Sequence, residues 1–203
     1  MRPLTDLLRT LEALPPGPLY ALIGVVAAVE SILPPVPADT AVALGALLAG
    51  RGTLNGWAVF GVTWVANVAS AGTVYWLGRR YGREFFRGRI GRKLLPEPVL
   101  AHIAAQYHRH GEYGIFLSRL LPVWRAVVPP FAGIAGLPTA RALIPLALAS
   151  ALWYGALIWF VVRLGTNLDT ILAALARVNR GLGVVALGVA IFLAVWVVRR
   201  LKR

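Results

Sequence analysis

Residues 29–39 read VESILPPVPAD, and this stretch decides the fold. Glu30 and Asp39 stand nine residues apart, with Pro34, Pro35 and Pro37 between them. Apolar runs flank it on both sides, LYALIGVVAA before and TAVALGALLAG after. Proline has no amide donor and its ring clashes with the preceding turn, so a helix entering this stretch breaks. Two carboxylates and a broken backbone therefore lie between segments apolar enough for a lipid bilayer.

The rest of the chain has the same character. Of 203 residues, 58% are hydrophobic and 14% charged, and the mean hydropathy is +0.70. Several runs approach the roughly 20 helical residues needed to cross about 30 Å of hydrocarbon. These numbers predict an all-α membrane protein with a single polytopic domain covering residues 1–203. Cysteine is absent, which excludes disulfides, thiolate metal sites and a cysteine nucleophile. The net charge of +13 comes mostly from arginines beside apolar runs. That distribution suits positive-inside topology and anionic headgroups rather than nucleic acid.

Moving outward from the break, residues 1–18 read as an amphipathic surface segment ended by Pro15, Pro16 and Pro18. Residues 19–52 form a first broken hairpin, two short apolar helices around the prolines. A full span follows at 56–78, and then a basic and amphipathic segment at 79–110. Its first part, RRYGREFFRGRIGRK (residues 79–93), carries seven basic residues against Glu84 alone, a cytoplasmic marker. Residues 113–138 repeat the opening pattern with prolines at Pro122, Pro129 and Pro130. Spans at 141–162 and 181–198 complete the chain, and the terminal RRLKR predicts a cytoplasmic C-terminus. If both basic runs lie inside, segment 113–138 enters and leaves from the inside, and segment 19–52 either mirrors it from the outside or crosses once as a broken helix. The architecture expected is a helical bundle with two re-entrant hairpins in an inverted repeat, as in many transporters.

The second break carries Arg119 and Arg125, as the first carries Glu30 and Asp39. Each charge near the bilayer centre costs roughly 2.5–3.5 kcal/mol on insertion scales, so such groups face a cavity or one another. Two readings follow. Tips that meet around a polar site give arginines able to fork onto phosphate oxygens and acids able to carry or gate protons. Alternatively, the acids pair with the arginines only to hold the hairpins together, and Asp39 caps the helix that begins TAVAL. Other signals are weaker. His102, His108 and His110 lack the spacing and the acid that a metal site needs. Asn67 and Ser70 suit helix contacts beside small residues. No catalytic constellation stands out, and no cofactor or metal is expected.

Three stretches together resemble the DedA family, also described as SNARE-associated or VTT-domain membrane proteins. They are ESILPPVPAD (residues 30–39), YWLGRRYG (75–82) and FLSRLLPVWRAVVPPFAGIAGLP (116–138), within a resemblance that covers roughly residues 20–165. The resemblance implies re-entrant hairpins in inverted arrangement. By position it implies functional roles for Glu30 and Asp39 as membrane-embedded acids and for Arg119 and Arg125 as essential arginines. It further implies a flippase or scramblase of a phosphate-bearing lipid, undecaprenyl phosphate foremost, in the cell membrane and linked to the proton motive force. From the residues alone, a proton-coupled transporter of small cations or drugs and a structural or assembly membrane protein remain open.

Overall fold

The computed structural model describes residues 10–32, 38–87, 111–117 and 124–164, together with 173, 176–185 and 187–188. Pro34, Pro35, Pro37, Arg119 and Pro122, the three histidines and the end of the last expected span lie outside them. Five helices organise the rest: α1 (Pro16–Val29), α2 (Ala38–Gly50), α3 (Gly56–Arg87), α4 (Trp124–Ile134) and α5 (Thr139–Leu164). Two stretches, Gly56–Gly82 and Thr139–Arg163, are long and apolar enough to cross a membrane.

Local chemistry sets the helix ends. Pro15 is the N-cap of α1 and Pro16 its first residue, so these prolines start the apolar helix rather than merely ending a preceding one. In the first turn a missing N–H is no loss, because that donor has no helical partner anyway. α2 ends in a Schellman turn: Thr53 N–H donates to Leu48 O at 3.0 Å, Gly52 N–H to Ala49 O at 3.1 Å, and Gly52 takes φ +84°. α4 ends the same way, with Leu137 N–H on Ala132 O at 3.1 Å and Gly136 at φ +75°. Asn55 caps α3, its Oδ1 accepting from the amides of Trp57 and Ala58 at 2.9 and 3.2 Å.

The structure bears on two expectations. The helix that holds the span expected at 56–78 continues through the arginines to Arg87. Charge marks where the environment changes, whereas arginine is a good helix former and does not end a helix. Pro129 and Pro130 do not break the chain either, because both lie inside α4. They remove two of its amide donors, and close packing against α3 holds the helix despite that loss. Gly133 of α4 lies against the Tyr75 carbonyl, and Gly78 of α3 lies against the Pro130 carbonyl.

Contacts along α3 give the directions of its neighbours. Gly24 of α1 faces Val62, Asn67 donates to Ala27 O, and Ser70 donates to Ala28 O, so α1 runs parallel to α3. Phe60 lies beside Gly155, while Tyr75 bonds Leu137 O at 2.6 Å, so α5 runs antiparallel. α2 turns back along α1, with Gly45 against Ile23 and Gly50 against Val162. α4 starts near the middle of the bundle and ends beside Tyr75, at the opposite end of α3. Residues 111–117 are helical and join that same end, through buried Ile115 and the Glu112–Arg141 ion pair at 3.3 Å.

The core therefore has two parts. One, with Ile23, Leu47, Val59 and Val161, fills the end where α1 and α2 begin and finish. The other, with Tyr75, Ile115, Val128 and Leu146, fills the opposite end. Between them the buried residues turn polar: Glu30, Ser31, Asp39, Thr63, Asn67, Arg125 and Ser150.

The α3–α4 approach generates a test. A Cβ on Gly133 meets the Arg79 amide at 2.7 Å as well as the Tyr75 carbonyl, whereas a Cβ on Gly61 meets nothing within 4 Å. Gly133→Ala should lose about 1–3 kcal/mol through overpacking. Gly61→Ala should be neutral, or gain up to about 1 kcal/mol from helix propensity. Thermal unfolding of the two variants in one detergent separates these outcomes.

Candidate functional site

The polar layer gathers around Arg125, in the first turn of α4 and 3% exposed. Its Nη1 donates to Glu30 Oε1 at 3.1 Å and to Asp39 Oδ1 and Oδ2 at 3.0 and 3.2 Å. Glu30 is the C-cap residue of α1, and Asp39 lies in the first turn of α2. Both sides of the VESILPPVPAD break thus present a carboxylate to one guanidinium from the other half of the chain. An arginine suits this position because its charge is delocalised and more weakly hydrated than an ammonium.

α5 supplies the remaining partners. The Trp153 indole N–H donates to Asp39 Oδ1 at 2.9 Å, and the Tyr154 hydroxyl donates to Glu30 Oε2 at 2.7 Å. The Trp153 ring also carries the Arg125 guanidinium over its face, 4.5 Å from Cζ to the centroid. All four carboxylate oxygens accept at least one hydrogen bond. A buried ion pair repays its desolvation only with such added hydrogen bonds, so Trp153 and Tyr154 are part of what makes the cluster tolerable.

A second set of bonds fixes where Glu30 sits. The last carbonyls of a helix have no partner within it, and hydrocarbon offers none. α3 supplies side chains for this purpose: Asn67 Nδ2 reaches Ala27 O at 3.3 Å and Ser70 Oγ reaches Ala28 O at 2.6 Å. Ser150 of α5 then donates to Asn67 Oδ1 at 3.2 Å. The end of α1, and Glu30 with it, is tied to both α3 and α5.

Of the residues expected at a site, the structure brings Glu30, Asp39 and Arg125 together, while Arg119 lies outside the described residues. Asp39 is more than a cap, because its carboxylate turns to Arg125 and Trp153 instead of a helix amide. Arg125 is already engaged by acids, so it binds a phosphate only by exchanging a carboxylate. Trp153, Tyr154 and Ser150 escape a reading of the sequence. Inside the run SALWYGALIWF they look like ordinary aromatic and small residues of a span, and only their opposition to charges elsewhere reveals them.

Two outcomes follow from this geometry. Arg125→Ala leaves two buried carboxylates facing each other and should cost about 3–5 kcal/mol of stability, read by thermal or chemical unfolding. Tyr154→Phe removes one hydrogen bond to a charged acceptor and should cost about 1.5–3 kcal/mol in the same measurement.

Comparison with known proteins places the chain. The VTT domain family model matches residues 36–163, well over half of its length. An uncharacterised membrane protein of Mycobacterium bovis is 28% identical over 163 residues, 76% of this chain and 74% of the relative. A Bacillus subtilis protein named undecaprenyl phosphate transporter A is 26% identical over 139 residues, 67% of this chain and 69% of the relative. An uncharacterised membrane protein of Synechocystis is 27% identical over 141 residues, 68% of this chain and 63% of the relative. No solved structure matches. With the buried charge cluster and this match in agreement, the chain belongs to the VTT-domain, or DedA, family of membrane proteins.

Proposed function

We propose that the chain carries a phosphate-bearing lipid, undecaprenyl phosphate foremost, across the cell membrane. The observation that carries this reading is the buried Arg125 held jointly by Glu30 and Asp39. The name of the Bacillus subtilis relative supports the choice of lipid. In this reading, residues 19–52 and 113–138 are re-entrant hairpins entering from opposite faces. The directions in which α1, α2 and α4 run against α3 support it. The domain is multi-pass, with its C-terminus in the cytoplasm.

The mechanism is an exchange at one guanidinium. A phosphate monoester entering the polar layer competes with the carboxylates for Arg125, and its oxygens suit the arginine fork. Uptake of a proton by Glu30 or Asp39 neutralises that acid and loosens one of the two carboxylate contacts on Arg125, which the phosphate takes over while the other acid stays paired. Departure of that proton on the other side restores the ion pair and expels the headgroup. Trp153 keeps the guanidinium in place throughout, and Arg119 is proposed as a second phosphate ligand. The isoprenoid tail stays in hydrocarbon while the head crosses. This is transport without covalent chemistry on the lipid.

A second reading, a proton-coupled carrier of small cations or drugs, draws on the two acids that face a single arginine among the described residues. Translocation of labelled undecaprenyl phosphate in proteoliposomes, with and without an imposed proton gradient, separates the two. Arg125→Lys should slow lipid movement about 10- to 100-fold, in keeping with a lost hydrogen bond to a charged group. Glu30→Gln should abolish the response to the gradient. Undiminished lipid movement in folded Arg125→Lys would reject the assignment. Uptake of a soluble cation that needs Glu30 but not Arg125 would favour the second reading. Loss of thermal stability alone, with no transport of either kind, would leave a structural role.

A further inference from the structure

The two spanning helices also form a groove that the charged cluster does not use. It lies between the start of α3, at Trp57 and Phe60, and the second half of α5, from Ala151 to Arg163. Its volume is about 510 Å³, within the range of ligand pockets. Gly155 opens it: a Cβ there meets only the Phe60 ring, at 3.7 Å, so the glycine gives width without being crowded. Trp57 and Trp159 wall it and are 84% and 62% exposed.

Its dimensions and charge point to an occupant. Ala151 and Arg163 are twelve residues apart, or roughly 18 Å of helix at 1.5 Å per residue. That is close to half of a hydrocarbon core of about 30 Å, the depth of one leaflet. The deep end adjoins Ser150 of the polar layer. Arg163, in the last turn of α5, closes the shallow end, its guanidinium 5.7 Å over the Trp159 ring. Tryptophan and arginine at the end of a span mark headgroup depth. Arg163 is also the single charged residue among the described residues lining the groove. A long apolar slot with one cation at its mouth complements an amphiphile with an anionic head and a hydrocarbon tail.

We propose that this groove holds one lipid with a net-negative phosphate headgroup from the leaflet at that end, its phosphate on Arg163 and its tail running past Phe60 and Gly155. The inference rests on the lipid-handling reading above and gives it a holding site, from which a lipid lies alongside the polar layer before its head enters. Lipid held at equilibrium is measured without transport, so the two claims fail separately.

The test uses the full chain purified from nanodiscs of mixed phosphatidylglycerol and phosphatidylcholine, with retained lipid counted by native mass spectrometry. Wild type should keep one phosphatidylglycerol in preference to phosphatidylcholine. Arg163→Gln should lower that preference about tenfold while still retaining a neutral lipid, as expected for a lost charged hydrogen bond. Gly155→Leu should reduce retention of both lipids, and Ala151→Leu, which fills the deep end by a milder change, serves if Gly155→Leu does not fold. Equal retention of the two lipids by wild type overturns the proposal, as does full retention by both groove-filling variants. The chain has no cysteine, so a Trp57→Cys, Val184→Cys pair reports cleanly on whether the chain's own C-terminal part fills the slot. A disulfide formed quantitatively in membranes would also overturn the proposal. Intact lipid retention with no translocation would instead count against the transport reading alone.

Discussion

A guanidinium buried in an apolar helix bundle has few places to put its charge, and Arg125 puts it on Glu30 and Asp39. Much of the bundle is arranged to make that possible. The carboxylates sit at the end of α1 and the start of α2, where helix termination frees the chain to turn both toward one point. α4 begins at that point and delivers the arginine in its first turn. α5 contributes an indole N–H, a phenol and an aromatic face, which satisfy the acids and seat the cation. Removing Arg125 leaves two carboxylates in a medium that does not solvate them, so the guanidinium holds the cluster together.

The cluster divides the core. The apolar contacts hold α1 and α2 to the two long helices at one end of the bundle and α4 at the other, and the polar layer lies between the two ends. Such a layer is a poor source of stability, because buried ion pairs roughly balance their desolvation. It is a good place for a structure to change, because its bonds exchange with those of an entering charged group at similar energy. The glycine contacts between α3 and α4 are of the opposite kind, close backbone approaches with no slack. The helix α4 is thus fixed firmly where it ends beside Tyr75 and held by exchangeable bonds where it begins, at Arg125.

The sequence makes the costly residues easy to see. Glu30, Asp39 and Arg125 stand out because a charge in an apolar run has no trivial explanation, and the paired breaks suggest that they meet. Trp153 and Tyr154 do not stand out, since an aromatic residue in a span packs equally well with or without a hydrogen-bond partner. Nor do the prolines carry a single meaning. Pro16 starts a helix, and Pro129 and Pro130 sit within one. A proline's effect depends on whether its missing donor would have been used and on whether neighbouring helices hold the backbone regardless. The end of helix α3 is similarly hard to read, because it continues through arginines that favour helix as readily as the apolar residues before them.

For a protein that moves an anionic headgroup through hydrocarbon, a guanidinium shared by two acids is a fitting starting state: the empty cluster carries one excess negative charge, and protonation of one acid removes it and opens a contact on the arginine. That proposal depends on the contact between the two broken segments. A double-mutant cycle on Arg125→Gln and Asp39→Asn, read by unfolding in lipid-like detergent, measures it most directly. The account predicts a coupling of about 1–3 kcal/mol, with the double variant more stable than Arg125→Gln alone, because the second change removes a carboxylate left without its cation. Additivity within about 0.5 kcal/mol would mean that the two residues do not meet and would contradict it.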